Sequence, residues 1–262
     1  MPTLNSVTGA KHARILSVGS YRPKRVVTNA EVCELIDSTD EWIRERSGIT
    51  ERRWAGEGES VVFMAAEAAK IAIARAKIAP SEIGLIMVGT VSHPYAFPSA
   101  SVEVGELIGA RGAPAFDFAA ACAGFCYGVG MAADIIRGGS AKYILVIGVE
   151  RLTDVVNKYD RGTSFIFADG AGAVVIGPSD TPGIGPIVWG GDGSQKDAIT
   201  MTASLNDFRD GTFPDYPTAV MAGQQVFRWA VGEMPKTTKE ALDIAGITAG
   251  DVAADISTSL AK

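Results

Sequence analysis

Two stretches of this chain, residues 83–91 and 143–149, carry no charged side chain, and each is the length of a single strand. A strand with one wet face alternates polar and apolar residues. Unbroken runs like these belong to strands covered on both faces, as in a sheet held between layers of helix. Helix-like segments alternate with them. Ser60 opens a long helix over 61–78 that Pro80 stops, and 99–108 reads as another, closed by Gly109. Residues 14–18 read as an earlier strand. Asn29 reads as the N-cap of a short helix through Ile36, and Asp40 as the cap of one ending before Gly48. Residues 165–168 and 172–176 read as two strands flanking an Asp169-Gly170 turn. To that point the elements follow a βαβαβαββ series. Residues 183–190 begin a second one, followed by a polar loop over 192–218 and a helix from about 225 to 245 that Pro235 kinks or divides. Alternating strands and helices predict a layered α/β fold.

Composition narrows the function. The 262 residues suffice for one large core or two similar ones. A net charge of −6, with basic residues scattered among acids, argues against a nucleic-acid partner. No apolar run approaches a membrane span and residues 1–14 hold no apolar signal segment, so neither a membrane nor secretion is expected. Three cysteines, Cys33, Cys122 and Cys126, lack the spacing of a disulfide framework. Neither His nor a further Cys lies near the last two, so no metal site is expected. The expectation is a reducing, cytoplasmic compartment.

One segment carries chemistry. Asp117-Phe118-Ala119-Ala120-Ala121-Cys122-Ala123-Gly124-Phe125-Cys126-Tyr127-Gly128 has the form of a nucleophile elbow: the end of a buried strand, a turn of small residues, and a helix whose apolar positions recur at Phe125, Val129, Ala133 and Ile136. Cys122 is expected at that helix's start, sharing a face with Cys126. The positive end of the macrodipole would there favour thiolate over thiol. Free cysteine is also a common buried filler. From the pattern alone, nucleophile and filler stand as equal readings.

Further motifs converge with this one. The run Asp40-Glu41-Trp42-Ile43-Arg44-Glu45-Arg46-Ser47-Gly48-Ile49, the segment Ala96-Phe97-Pro98-Ser99-Ala100, and Asp160-Arg161-Gly162-Thr163 all resemble β-ketoacyl-acyl-carrier-protein synthase III. So do Phe167-Ala168-Asp169-Gly170-Ala171-Gly172-Ala173 and Gly223-Gln224-Gln225-Val226-Phe227. The resemblance runs in order to about Val252. It implies a thiolase-like layered αβαβα fold of two similar halves, here 1–180 and an incomplete 181–262, assembled as a homodimer. It also implies the initiating step of type II fatty-acid synthesis: an acyl group passes from acyl-CoA to Cys122 and condenses with malonyl-acyl carrier protein, releasing carbon dioxide. No cofactor is implied.

The resemblance also assigns the binding residues. Trp42 and Arg161 would stack on opposite faces of adenine, which suits a planar aromatic and a planar guanidinium. Arg46 and Ser38 match positions at the nucleotide end. Gln224 and Phe227 match positions along the pantetheine tunnel, although Gln224 stands where the family has Asn. Phe97 matches the residue closing the acyl pocket, often across the dimer interface, and its bulk implies a short primer. Without the resemblance, Trp42 and Phe97 read as packing, and Arg46 and Arg161 as solvated charge. Arg22, Lys24, Arg25, Arg52 and Arg53 are candidates for docking an acidic carrier protein.

The family's remaining catalytic residues, a His and an Asn that stabilise the decarboxylating thioester, lie past the end of this sequence. So does its C-terminal glycine-rich loop. His12 and His93, the only histidines, match neither motif. Losing such donors costs on the order of 3 kcal/mol each, so condensation is expected to be impaired in a chain that reads as truncated. The alternatives are a silent fragment or dimer partner that binds acyl-CoA, and an acyltransferase using Cys122 without condensation. A new strand is expected after Val252.

Overall fold

The computed structural model describes residues 4–252. The first elements are β1 (His12–Tyr21), β2 (Arg25–Thr28), α1 (Asn29–Cys33), α2 (Asp40–Ser47) and β3 (Glu51–Trp54). There follow α3 (Val61–Ala76), β4 (Ile83–Gly89), α4 (Ala100–Ile108), β5 (Ala115–Phe118), α5 (Gly124–Gly138), β6 (Tyr143–Arg151) and β7 (Asp169–Ser179). The last are β8 (Ile199–Met201), α6 (Leu205–Arg209), β9 (Ala219–Met221) and α7 (Gly223–Ala245). The chain divides into two compact units. One holds the chain up to Lys24, Ala55–Arg151 and Asp169–Gly185; the other holds Arg25–Trp54, Leu152–Ala168 and the chain from Pro186.

The first unit is built on a five-stranded sheet of order β1-β7-β6-β4-β5. Strands β4, β5 and β6 run parallel, while β7 is antiparallel to both its neighbours. Omitting the second unit's residues, its elements read βαβαβαββ, as the apolar pattern predicts. The unbroken runs have the cause inferred for them. Ile86, Val88, Leu145 and Ile147 enter one core with α3 and α4. Their neighbours Leu85, Met87, Ile144 and Val146 enter another with α5. Alternate residues thus serve opposite layers, and both must be apolar.

Several local expectations shift. Ser60 caps α3 by accepting from Phe63 N–H, but the caps of α1 and α2 are Thr28 and Thr39, one residue ahead of Asn29 and Asp40. Asn29 is instead buried, donating to Asp40 Oδ1 and Ile49 O at 2.7 Å each. Gly48, Gly109 and Gly139 end their helices at φ 70°, 80° and 82°. Asp169-Gly170 is no turn: both residues pair within the β6–β7 ladder, and the buried Asp169 carboxylate accepts from Ala55 N–H at 2.6 Å. No strand forms over 165–168: residues 165 and 166 lie in a turn, and β7 begins only at Asp169.

In the second unit, β2 pairs with β3 and packs with α1 and α2 around Val27, Val32, Ile43, Trp54 and Phe165. The segment over 192–218 is not all loop, since β8 and α6 lie in it. Helix α7 continues through Pro235 undivided. None of its residues is buried, so water can solvate the carbonyl that the proline leaves without a donor. No strand forms over 183–190, and the strand expected after Val252 lies outside the described residues.

Candidate active site

Strands β4, β5 and β6 end at Gly89, Phe118 and Arg151, and being parallel they deliver the segments that follow to one edge of the sheet. Ligand sites of parallel sheets form at this edge. After Phe118 the chain makes a single 3₁₀ turn, Ala121–Ala123, before α5 begins at Gly124. Ala121 has φ 43°, left-handed backbone that costs a non-glycine residue about 1–2 kcal/mol. Strain of this kind is kept where the surrounding packing imposes it. Here the packing is visible. A Cβ at Gly128 would lie 2.8 Å from Val146 Cγ1 and 2.9 Å from Phe118 Cζ, so only glycine lets α5 sit this close to the Phe118 ring.

The elbow presents Cys122 to solvent. Exposure separates the two readings the sequence left level: the thiol is not core filler. Its place differs in one respect, because Cys122 lies in the 3₁₀ turn ahead of α5 and not on the helix with Cys126. Cys126 is also exposed. Phe97 lies on the segment joining β4 to α4 with 84% of its surface exposed, and the Phe97–Pro98 peptide is cis. His93 has its Nε2 3.3 Å from Pro98 O and 3.8 Å from the Glu103 carboxylate.

The second unit gathers another set. Thr39 Oγ1 accepts from Trp42 N–H at 3.1 Å at the start of α2, fixing the indole on the helix's first turn. The Arg161 guanidinium lies 4.7 Å from the Trp42 ring centroid and that of Arg46 5.5 Å. Asp160 folds the backbone around Arg161 by accepting from Gly162 N–H at 2.9 Å and Thr163 Oγ1 at 2.6 Å. The Phe165 ring meets Trp42 edge-on at 5.3 Å. The structure therefore brings Trp42, Arg46 and Arg161 together, three residues that the sequence associates only through the resemblance. It adds Phe165, which sequence reasoning missed. Ser38 Oγ is buried without a hydrogen-bond partner among the described residues. Gln224 and Phe227 stand exposed in the first turns of α7.

One docking candidate is overturned. Arg52 is buried, donating to Asn29 Oδ1 at 2.6 Å, Phe165 O at 3.1 Å and Val27 O at 3.4 Å, so it holds the second unit's core and cannot face a partner. Arg25 is ion-paired with Glu31 and lies 5.2 Å over the Trp54 ring.

Sequence reasoning gave no role to two carboxylates, Glu150 on β6 and Asp117 on β5. Glu150 ends the apolar run of β6, and burial pushes its carboxyl up while donors from Ser92, Val91 and Thr90 pull it down. Asp117 lies within β5 itself. An acid closing or interrupting an apolar strand was the available signal. Among the described residues no group of His, Cys, Asp and Glu is placed to hold a metal, and no helix is long and apolar enough to cross a membrane.

The chain is similar to known proteins in sequence and in fold. Residues 116–193, which contain the elbow, match the family model of 3-oxoacyl-[acyl-carrier-protein (ACP)] synthase III. A β-ketoacyl-[acyl-carrier-protein] synthase III of Streptomyces glaucescens is 48% identical over 252 residues, spanning 96% of this chain and 76% of that protein. A mycobacterial synthase III of Mycolicibacterium paratuberculosis is 46% identical over 96% of this chain and 75% of its own. Among solved structures, the priming β-ketosynthase of the R1128 polyketide pathway superposes with a TM-score of 0.93 at 44% identity, covering 96% of this chain and 75% of that one. The 3-oxoacyl-[acyl-carrier-protein] synthase III of Aquifex aeolicus superposes with 0.77 at 36% identity, covering 92% and 74%. With relatives 48% and 46% identical over 96% of its length, the chain belongs to the β-ketoacyl-acyl-carrier-protein synthase III family of thiolase-fold condensing enzymes.

Proposed function

We propose that this chain takes a short acyl group from acyl-CoA onto Cys122 and condenses it with malonyl-acyl carrier protein. The observation that carries the reading is the exposed Cys122 at a strained elbow after β5, on the edge where the parallel strands β4, β5 and β6 end. In the first half-reaction the Cys122 sulfur attacks the thioester carbonyl and the tetrahedral adduct expels the CoA thiolate, leaving an acyl-cysteine. In the second, malonyl loses carbon dioxide, and the resulting carbanion attacks the acyl-cysteine carbonyl and releases the Cys122 thiolate. A reducing cytoplasm suits a mechanism that needs this thiol free.

Supporting groups have matching chemistry. Trp42 offers a flat face to adenine, with Arg161 closing over it. At 4.7 Å the guanidinium is nearer the ring than two stacking gaps of about 3.5 Å each would allow, so Arg161 lifts to admit the base. Arg46 supplies positive charge for the nucleotide phosphates, and the orphan hydroxyl of Ser38 is a donor awaiting a partner. Gln224 and Phe227 line the pantetheine path in this reading, and Phe97 caps the acyl pocket, favouring acetyl, propionyl or small branched primers. Residues 1–180 and 181–262 form the two sequential halves. A homodimer is supported by β5, the edge strand of the sheet among the described residues, which carries the exposed Phe116.

The test is acyl transfer read by mass. Incubation with acetyl-CoA should place one acetyl group on Cys122, protect it from iodoacetamide, and fail in Cys122→Ser but not in Cys126→Ser. No acetyl group on Cys122 would sink the proposal. Adding malonyl-acyl carrier protein and following carbon dioxide then separates condensation from acyl transfer alone.

A further inference from the structure

The segment joining β4 to α4 is gripped at both ends by carboxylates from the two strands flanking β4. From β6, Glu150 accepts from Val91 N–H at 2.9 Å, from Thr90 Oγ1 at 3.3 Å and from Ser92 Oγ. Ser92 Oγ in turn accepts from Arg151 N–H at 2.8 Å. From β5, Asp117 accepts from Ala100 N–H at 2.7 Å and Ser101 N–H at 2.8 Å, the first turn of α4. Because β4 lies between β5 and β6, the two grips come from opposite sides.

Burial follows the same division. Thr90, Ser92, Ala100 and Ser101 are buried, whereas Tyr95 and Phe97 between them are 66% and 84% exposed. An exposed aromatic on a free connection would sample many positions. Two anchored ends confine it. Each carboxylate is an acceptor-only group meeting two or three donors, so both oxygens are needed. A partly buried Glu150 costs desolvation that an apolar residue would avoid, which argues for a use beyond filling space.

We propose that Glu150 and Asp117 are positioning residues for acyl-chain selection: they hold residues 90–99 so that Phe97 stays where it limits the acyl pocket. This rests on the reading of Phe97 given above.

Native-state hydrogen exchange and acyl selectivity test it together. In Glu150→Ala and Asp117→Ala, exchange over residues 90–101 should quicken about tenfold, since each loses acceptors that protect backbone amides. The ratio of Cys122 acylation by octanoyl-CoA to that by acetyl-CoA should rise about tenfold, as in Phe97→Ala, while iodoacetamide labelling of Cys122 stays within about twofold. Glu150→Gln keeps one oxygen for Val91 N–H but loses the other acceptor, and should fall between wild type and Glu150→Ala. If Glu150→Ala does not fold, Asp117→Asn carries the same comparison. Unchanged exchange, or both acyl rates falling together at a constant ratio, overturns the proposal. A Phe97→Ala protein whose ratio does not move overturns the reading of Phe97 and the selectivity with it. A ratio moved by Phe97→Ala but not by the carboxylate variants overturns the positioning role alone.

Discussion

Replacing Arg52 by methionine probes how a charge cluster in the sequence became a core element. The methionine keeps most of the apolar stem and removes every donor. Two well-formed bonds go, to Asn29 Oδ1 at 2.6 Å and Phe165 O at 3.1 Å, along with the longer contact to Val27 O. Charge-assisted bonds are worth about 1.5–3 kcal/mol each, and two acceptors are left unsatisfied. Against this, the substitution removes a desolvated guanidinium whose Nε is buried with no partner among the described residues, a relief of about 1–3 kcal/mol. At the midpoints, about 4.5 kcal/mol lost and about 2 kcal/mol relieved, the net loss is about 2.5 kcal/mol, which at ~2–4 °C per kcal/mol lowers Tm by roughly 5–10 °C. Thermal denaturation followed by circular dichroism measures it, with Arg22→Met as an exposed control expected within about 0.5 kcal/mol of wild type. A functional consequence follows, because Phe165 carries the ring that meets Trp42. Arg52→Met should raise the KM for acetyl-CoA and leave that for acetyl-pantetheine unchanged. A variant that melts with the wild type, within about 1 °C, would refute the account of Arg52 as a core cation held by its hydrogen bonds.

Other substitutions test other links. At Gly19 a Cβ would meet Ala68 O at 2.1 Å and Ala72 N at 2.6 Å, backbone atoms of α3 that cannot yield. Gly19→Ala should therefore cost about 3 kcal/mol or more in thermal or urea unfolding. Gly138→Ala meets nothing and should stabilise α5 by up to ~1 kcal/mol; equal melting of the two variants would contradict both. Tyr21 donates to Glu59 at 2.6 Å, and the carboxylate pushes the phenol from 10.0 to about 12. Since the folded value is the higher one, this bond's stabilisation is complete below pH 10.0 and disappears as pH rises to about 12. The absorbance titration of wild type minus Tyr21→Phe should show that late proton, and a difference titrating at the ordinary value would count against the bond. Gly56 N–H and the Tyr21 hydroxyl hold Glu59 below the usual carboxylate range. Its contribution is thus present above the unfolded-state value and is lost on acidification through the lower folded one. The stability gap between wild type and Glu59→Gln should close accordingly in acid melts.

What the sequence by itself determined is whatever adjacent residues decide among themselves. Residues 83–91 and 143–149 announce two-sided burial because i and i+1 face opposite layers whatever lies beyond them. The elbow is legible because nucleophile, small residues and the glycines that admit Phe118 lie in one continuous stretch, and Gly48, Gly109 and Gly139 mark helix ends by local backbone alone. The tertiary structure decided what depends on distant partners. Asp169-Gly170 has turn composition, yet a ladder with β6 and the Ala55 amide draws it into a strand. Asn29 has capping chemistry, yet Asp40, Ile49 and Arg52 occupy its amide. Arg52 reads as a candidate for docking an acidic partner until Phe165 arrives to accept from it, and Glu150 and Asp117 are unremarkable acids until the segment at 90–101 folds against them. Whether Cys122 is a buried filler or an open thiol is settled only there too, because exposure depends on how the whole sheet and its helices close around one turn.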